Sequence, residues 1–165
     1  MAPITELRLR NFKSRRDQLA LELKPLTIFA GANNAGKSTV IQSILLLKQT
    51  LENQEDEQPL VLNGHILRMG SFNDVVHAGD RKNRLHMGFT SGSSSREAAC
   101  DLTFGAGPKG WKPERAEDPD IYQLEPSLQK FSMVVKNHRP DVDPDEREET
   151  YSFKQSASNL TKRLD

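Results

Sequence analysis

The chain has 165 residues, about the length of one domain. Its 23 basic and 23 acidic residues give a formal net charge of zero, so no overall field draws the chain to nucleic acid or to an anionic membrane. Hydrophobic residues make up only 35% of the chain and the mean hydropathy is -0.66, so part of it is expected in long polar loops.

The cysteine content and the apolar runs favour a location in the cytoplasm. Cys100 is the single cysteine, so the chain cannot form an internal disulfide. This fits a reducing compartment, as does the lack of a recognisable signal peptide. The longest apolar run, residues 44–47, is far too short to span a bilayer. We therefore predict a cytoplasmic protein with no membrane partner.

The first thirty residues predict three short strands. Apolar residues within 4–12 indicate the first strand, and a leucine at every second position of 19–23 indicates a half-buried second one. A basic turn at 13–17 joins them. Residues 26–30 are almost wholly apolar and predict the third strand, which leads into a glycine-containing loop.

A helix is predicted over residues 37–51, followed by an acidic stretch and a break at Pro59. Gln42 and Gln49 on this helix are interpreted as surface or packing residues rather than as ligands of a metal ion. Its core-facing stripe is predicted from apolar side chains at helical spacing: Val40, Ile41, Ile44, Leu45, Leu47 and Leu51.

The second half of the chain predicts short strands separated by turn-rich stretches. The β-like segments are residues 60–62, 85–89, 98–104, 131–135 and 151–153. Glycine, proline and acidic residues predict flexible loops at 105–120 and 138–149. Residues 156–165 have the pattern of a helix that begins and is not completed.

The most informative segment is a phosphate-binding loop with the pattern G-x-x-x-x-G-K-[ST]. Its glycines permit a backbone that turns N–H groups inward around phosphate oxygens, and the helix that follows points its free amides at the same place. The loop therefore predicts binding of ATP with Mg²⁺. The predicted nucleotide-binding residues of this loop are Gly31, Asn33, Asn34, Ala35, Gly36, Lys37, Ser38 and Thr39.

Three side chains of the loop have separate predicted roles. The ammonium of Lys37 should reach the β- and γ-phosphates, and the hydroxyl of Ser38 should ligate Mg²⁺. Thr39 should lie near the α-phosphate. A glycine turn with a surface lysine is the alternative, and it does not explain why the loop lies between an apolar segment and an amphipathic helix.

Residues 4–14 and 26–39 resemble the N-terminal lobe of ABC-type ATPases of the SMC, RecF and OLD kind. The "N-F-K-S" phrase at 11–14 and the asparagines inside the loop carry the resemblance. It implies an α/β P-loop NTPase fold, with antiparallel β strands around the P-loop strand and helix. It also implies that the turn residues Lys13, Ser14 and Arg15 approach the nucleotide; a solvated charged turn is the alternative.

A narrower similarity joins residues 41–49, 62–64 and 69–77 to prokaryotic OLD-like AAA ATPases. Some of these proteins act in anti-phage defence, in Septu-type and retron-associated systems that include a nuclease. The similarity implies a homodimer or higher oligomer assembled through the ATP site, and control of a DNA-directed effector such as a nuclease, in defence or in DNA repair. His77 and Asp80 follow the same phrase and either line the site or form a plain turn.

The residues needed for hydrolysis are not recognisable in the sequence. We find no apolar strand that ends in paired acids and no helix start with an ABC signature, so the catalytic residues stay unknown. Residues 1–165 are therefore interpreted as the N-terminal lobe of a longer ATPase domain, one that by itself binds nucleotide weakly and hydrolyses it poorly. A nucleotide-sensing switch that does not hydrolyse ATP and a P-loop phosphotransferase are the alternatives.

Overall fold

The computed structural model describes residues 3–53, 59–79, 84–107, 125–138, 147–156 and 159–164. Its secondary structure in these ranges consists of seven strands, two α-helices and one 3-10 turn at His77–Gly79. The helices are α1 (Lys37–Glu52) and α2 (Phe72–Val75). The strands are β1 (Ile4–Arg10), β2 (Leu19–Glu22), β3 (Leu85–Gly92), β4 (Arg96–Gly107), β5 (Glu125–Asn137), β6 (Glu148–Ser156) and β7 (Asn159–Leu164).

The strands form one sheet in the order β2-β1-β3-β4-β5-β6-β7, and every neighbouring pair is antiparallel. Alternation along β1 gives the sheet an inner and an outer face. Leu7 and Leu9 are buried on the inner face, whereas Arg8 and Arg10 lie on the outer face. The inner face shares one hydrophobic cluster with α1, through Leu46 and Val40, and with α2. The predicted combination of an antiparallel sheet with a helix after the loop is thus observed, without the predicted strand before the loop.

Helix α1 has the predicted bounds to within one residue, and Val40 and Leu47 of its predicted stripe are buried, but the buried face is shifted around the helix. Ile41 and Leu51 were predicted in the core stripe, yet 47% and 72% of their surfaces are exposed. The helix is turned so that small and polar side chains share the interior with the apolar ones. Its buried residues are Thr39, Val40, Ser43, Leu46, Leu47 and Gln49.

The third predicted strand, residues 26–30, is wrong. The backbone there is irregular and pairs with no strand among the described residues. Leu26 and Ile28 are 79% and 78% exposed, and Phe29 alone packs against the core cluster. Apolar residues give a segment strand propensity, but a strand forms only where a neighbouring strand accepts and donates its backbone hydrogen bonds.

Two further predictions of secondary structure are corrected. Residues 60–62 form no strand, because side chains of α1 take up the backbone groups of Val61. The helix predicted at 156–165 is wrong, because Asn159–Leu164 forms β7 and extends the ladder of β6. The four strands predicted between residues 85 and 153 are confirmed, each longer than predicted.

The predicted loops are shorter than expected where the structure describes them. Residues 105–107 belong to β4, and residues 148–149 belong to β6. The rest of the 105–120 loop and residues 139–146 lie outside the described residues. In the described part of the chain, no helix combines the length and apolar character that crossing a bilayer requires.

Candidate nucleotide-binding site

The loop at residues 31–36 turns the chain sharply into α1. Gly36 has a φ of 91° and is the residue immediately before the helix. Asn34 has a φ of 65°, so this position of the loop is left-handed although its residue lacks a glycine's freedom. A Cβ atom on Gly36 would lie 3.1 Å from Nε of Arg15, so a side chain there would be both strained and crowded.

The start of α1 presents backbone donors to solvent. No side chain caps the helix, and its first turn contains no acidic residue. The first helical hydrogen bond runs from the amide of Val40 to the carbonyl of Gly36, at 3.2 Å. The amides of Lys37, Ser38 and Thr39 therefore have no partner within the helix, and the positive end of the helix dipole lies at the loop.

Lys37, Ser38 and Thr39 make distinct contacts at this helix start. The ammonium of Lys37 donates to the carbonyls of Gly31 and Ala32, both at 2.7 Å. Ser38 is exposed, and its hydroxyl makes no hydrogen bond among the described residues. The hydroxyl of Thr39 is buried and lies 3.3 Å from the hydroxyl of Ser14. Ser38 is thus the hydroxyl available to a ligand, whereas Thr39 ties the loop to the basic turn.

The basic turn at residues 13–17, together with Asn11 before it, is held by the segment around α2. The amide of Lys13 donates to the carbonyl of Val75 at 2.7 Å, and the amide of His77 donates to the carbonyl of Asn11 at 3.0 Å. Nδ1 of His77 lies 2.9 Å from the carbonyl oxygen of Lys13. Asn11 and Lys13 have φ values of 56° and 50°, a strained geometry that these contacts maintain. His77 therefore positions the turn rather than lining the site.

Arg15 connects this turn to the loop itself. Its guanidinium donates to the carbonyl of Ala35 at 3.0 Å and lies beside Gly36. Between turn and loop there is a cleft of about 630 Å³. The cleft is lined by Lys13, Ser14, Asn33, Asn34, Gly36, Lys37, Ser38 and Thr39.

Most of the residues predicted for nucleotide binding thus come together in space. Gly31 and Ala35 belong to the loop and Arg15 is bonded to it, but none of the three lines the cleft. His77 is absent from the lining, and Asp80 lies outside the described residues.

Sequence reasoning missed the capping box at the start of α2. A carboxylate oxygen of Asp74 accepts from the amide of Ser71 at 2.8 Å and from its hydroxyl at 2.7 Å. The pattern S-x-x-D at residues 71–74 was a readable signal of this cap. The cap matters to the site because α2 ends at Val75, whose carbonyl holds the amide of Lys13.

We expect Asp74→Asn to destabilise the fold at neutral pH and to have no such effect in acid. The two bonds from Ser71 lower the pKa of Asp74, so its stabilisation is present above the unfolded pKa and is lost as the pH falls through the folded one. Because Asp74 is exposed, the expected loss is only about 0.5–1 kcal/mol. Urea unfolding at several pH values measures it, with Asp17→Asn as control. An equal effect of Asp74→Asn at every pH would contradict the assignment.

The comparison with known families agrees with this geometry. The family model of the AAA ATPase domain matches residues 3–159. The chain belongs to the AAA ATPase domain family. No curated protein and no solved structure matches it. Membership makes this chain a P-loop protein of the AAA type with the ATP-binding character of its family.

The cleft of this AAA ATPase domain fits a nucleotide polyphosphate with its magnesium ion. The ammonium of Lys37 and the unpartnered amides of α1 supply positive groups for phosphate oxygens. The free hydroxyl of Ser38 is a hard oxygen ligand of the kind that Mg²⁺ accepts beside phosphate oxygens and water.

Proposed function

We propose that this AAA ATPase domain binds ATP with Mg²⁺ in the cleft between the basic turn and the loop at residues 31–36. The supporting observation is a convergence in one cleft: the Lys37 ammonium, the free amides at the start of α1, and the unbonded hydroxyl of Ser38. Bound Mg²⁺ supplies neutralisation of charge on the β- and γ-phosphates. Each protein group has its own part in holding that ligand.

Lys37 is held ready by neutral acceptors that a polyphosphate can replace. Its two present partners are the carbonyls of Gly31 and Ala32. A hydrogen bond to an anionic phosphate oxygen is roughly twice as strong as one to a neutral carbonyl, so the ammonium gains by moving to the nucleotide. Lys13 adds a second cation to the lining, and Arg15 holds the loop through Ala35.

We propose that hydrolysis requires groups from outside this cleft. Of the described residues, those that line the cleft carry no carboxylate, whereas in P-loop NTPases an Asp joins the Ser or Thr of the loop in holding Mg²⁺. The exposed Leu26 and Ile28 lie a few residues before the loop and form an apolar surface suited to being covered. Both features favour completion of the site by more protein, including a second copy across a dimer.

We propose that this assembly, once complete, uses ATP to control a DNA-directed effector such as a nuclease, in defence or in repair. Support comes from the similarity of residues 41–49 and 69–77 to OLD-like ATPases. ATP binding is the step in this scheme that the cleft's own residues carry, so it is the step to test first.

Ser38→Ala tests the proposal through the contribution of magnesium to binding. We expect the wild-type chain to bind ATP more tightly with Mg²⁺ than with a chelator. In the variant, affinity without Mg²⁺ should be nearly unchanged, while the gain from Mg²⁺ should fall about tenfold, since one ligand of the ion is lost. Isothermal titration calorimetry measures both quantities.

Ser93→Ala is the matched control, because Ser93 is an exposed serine in the turn between β3 and β4 and does not line the cleft. It should leave both affinities unchanged. Absence of binding heat for ATP in the wild-type chain, with and without Mg²⁺, would refute the proposed function.

A further inference from the structure

The outer face of the sheet carries a row of basic side chains. The strand register places Arg10 of β1 opposite His86 of β3, His86 opposite Thr103 of β4, and Thr103 opposite Lys130 of β5. Residues paired in this way point to the same face. The 3.1 Å contact between the Thr103 hydroxyl and Nδ1 of His86 confirms the shared face. Arg84 directly precedes β3. We call Arg10, Arg84, His86 and Lys130 together the basic row.

The cations of the basic row lack acidic partners, unlike Arg8 and Lys136 on the same face of the sheet. Arg10, Arg84 and Lys130 are exposed, and none forms an ion pair within the ranges that the structure describes. In contrast, Arg8 bonds Glu6 and Asp101, and Lys136 pairs with Glu148 at 3.3 Å.

The neighbouring row of the outer face is neutralised internally. Arg8 lies 2.9 Å from a carboxylate oxygen of Glu6 and 3.1 Å from one of Asp101. Its side chain is 18% exposed, and it also donates to the hydroxyl of Thr90. Of these two neighbouring rows, only the basic row carries positive charge that has no acidic partner among the described residues.

The pKa of His86 is affected by the positive charges of this row. Burial lowers the pKa of His86, and Arg10, Arg84 and Lys130 lower it further. Beside His86 lies a shallow pocket of about 160 Å³ whose polar lining includes Arg8, Arg10, Gln18, His86 and Asp101. Asp101, which acts to raise the pKa of His86, is paired with Arg8, so Arg10 is the lining cation of this pocket that has no acidic partner among the described residues.

The geometry points to the sugar-phosphate backbone of a nucleic acid as the partner of the basic row. β1 and β5 are separated by two strands, so Arg10 and Lys130 lie about 14 Å apart at a strand spacing of about 4.8 Å. A linear array of cations without acids complements a linear array of phosphates, and such contacts need no particular base sequence. The net charge of zero excluded attraction by the whole chain, but it did not exclude a local patch.

Two other polyanionic partners fit the row less well. The exposed large hydrophobic side chains among the described residues are Ile4, Leu26, Ile28, Ile41 and Leu51, and none belongs to the basic row. A membrane surface or an acidic protein is normally held by apolar or aromatic anchors together with charge. The row has no such anchors. It is also independent of the nucleotide cleft, because none of its members lines that cleft.

A charge-matched pair of triple variants tests this inference in the full chain. The row variant is Arg10→Gln, Arg84→Gln and Lys130→Gln. The control variant is Lys24→Gln, Lys48→Gln and Lys136→Gln, which removes three lysines that have glutamate partners. Both lose three positive charges, and Lys130 and Lys136 lie on the same face of the same strand. Binding to a short mixed-sequence DNA duplex is measured by fluorescence anisotropy at several salt concentrations.

We expect the row variant to bind the duplex at least ~10-fold more weakly at low salt. The slope of log K against log salt should fall by about 2.7, since each lost phosphate contact contributes about 0.9. The control variant should keep the wild-type slope and affinity, and a second duplex of different sequence should behave like the first.

Three results would overturn the inference. One is an equal loss of DNA binding in both triple variants. Another is no binding of duplex by the wild-type chain. The third is row-dependent binding of polyglutamate or of anionic phospholipid vesicles in place of duplex. Thermal unfolding and ATP titration of the row variant show whether it is folded, and they keep failure of this inference separate from failure of the nucleotide site.

Discussion

Replacing Lys37 with alanine should weaken ATP–Mg²⁺ binding by about 100-fold or more, the largest functional effect that we expect from one substitution. Lys37 is the cation of the cleft that projects from the loop-to-helix junction itself, and its ammonium already reaches the centre of the loop at the carbonyls of Gly31 and Ala32. Charge-assisted hydrogen bonds contribute about 1.5–3 kcal/mol each, so losing two of them accounts for such a change.

Lys48→Ala is the control for this experiment, because Lys48 lies on the same helix and is exposed. It is eleven residues further along α1, which places it about 16 Å from Lys37, and it pairs with Glu52. We expect its affinity for ATP to equal that of the wild type. Calorimetry or displacement of a fluorescent nucleotide measures all three proteins.

Loss of binding in Lys37→Ala must also be separated from loss of folding. Lys37 lies at the protein surface and contacts only the loop, so the variant should unfold within about 1 kcal/mol of the wild type. Equal ATP affinity in wild type and Lys37→Ala would show that the cleft between the turn and the loop is not the nucleotide site.

Replacing Gln49 with leucine should lower the free energy of unfolding by about 3 kcal/mol, the largest effect on stability among the changes considered. Gln49 is 1% exposed and holds the segment after α1 by three hydrogen bonds. Its Nε2 donates to the carbonyl of Val61 at 2.8 Å, and its Oε1 accepts from the amides of Ile66 and Leu67 at 2.9 and 2.7 Å. Each buried backbone group left without a partner costs about 1–3 kcal/mol, which the apolar leucine offsets only in part.

Gln42→Leu is the matched control for Gln49→Leu. Gln42 lies on the same helix, two turns earlier, and makes no hydrogen bond among the described residues. The same substitution there should change stability by less than about 0.5 kcal/mol. Denaturant unfolding compares the two, and equal effects at both positions would contradict the role given to Gln49.

Gly64 packs directly against the buried side chain of Gln49. A Cβ atom on Gly64 would lie 2.4 Å from the side-chain carbon of Gln49. The close approach explains why the loop over residues 63–68 carries a glycine at this point, since a side chain there would displace Gln49. The interpretation of Gln49 as a packing residue was right in kind, but its three backbone partners were not foreseeable, because they lie 12 to 18 residues away.

Local sequence patterns predicted a feature correctly where the residues that cause it lie close together in the chain. The helix start at Lys37 was readable because glycine and a helix-forming sequel define it locally, and the loop pattern named the residues that line the cleft. The alternating leucines at residues 19–23 predicted β2, since period two is a property of the strand itself.

Predictions failed where the outcome depended on distant partners. Residues 26–30 have strand composition, but no strand lies beside them in the described structure. The helical pattern at 156–165 gave way to the ladder with β6. Likewise, nothing within residues 10, 86 and 130 reveals that they form one row, because only the register of four strands brings them together.

The sequence by itself therefore determined the phosphate loop, the helix that follows it, and the assignment of the chain to P-loop proteins of the AAA type. Those features depend on residues close together along the backbone. The tertiary structure alone decided which face of α1 is buried, which hydroxyl of the loop is free, and where uncompensated positive charge collects. Each of these is set by hydrogen bonds and packing between segments far apart in the chain, and a linear pattern contains no record of such contacts.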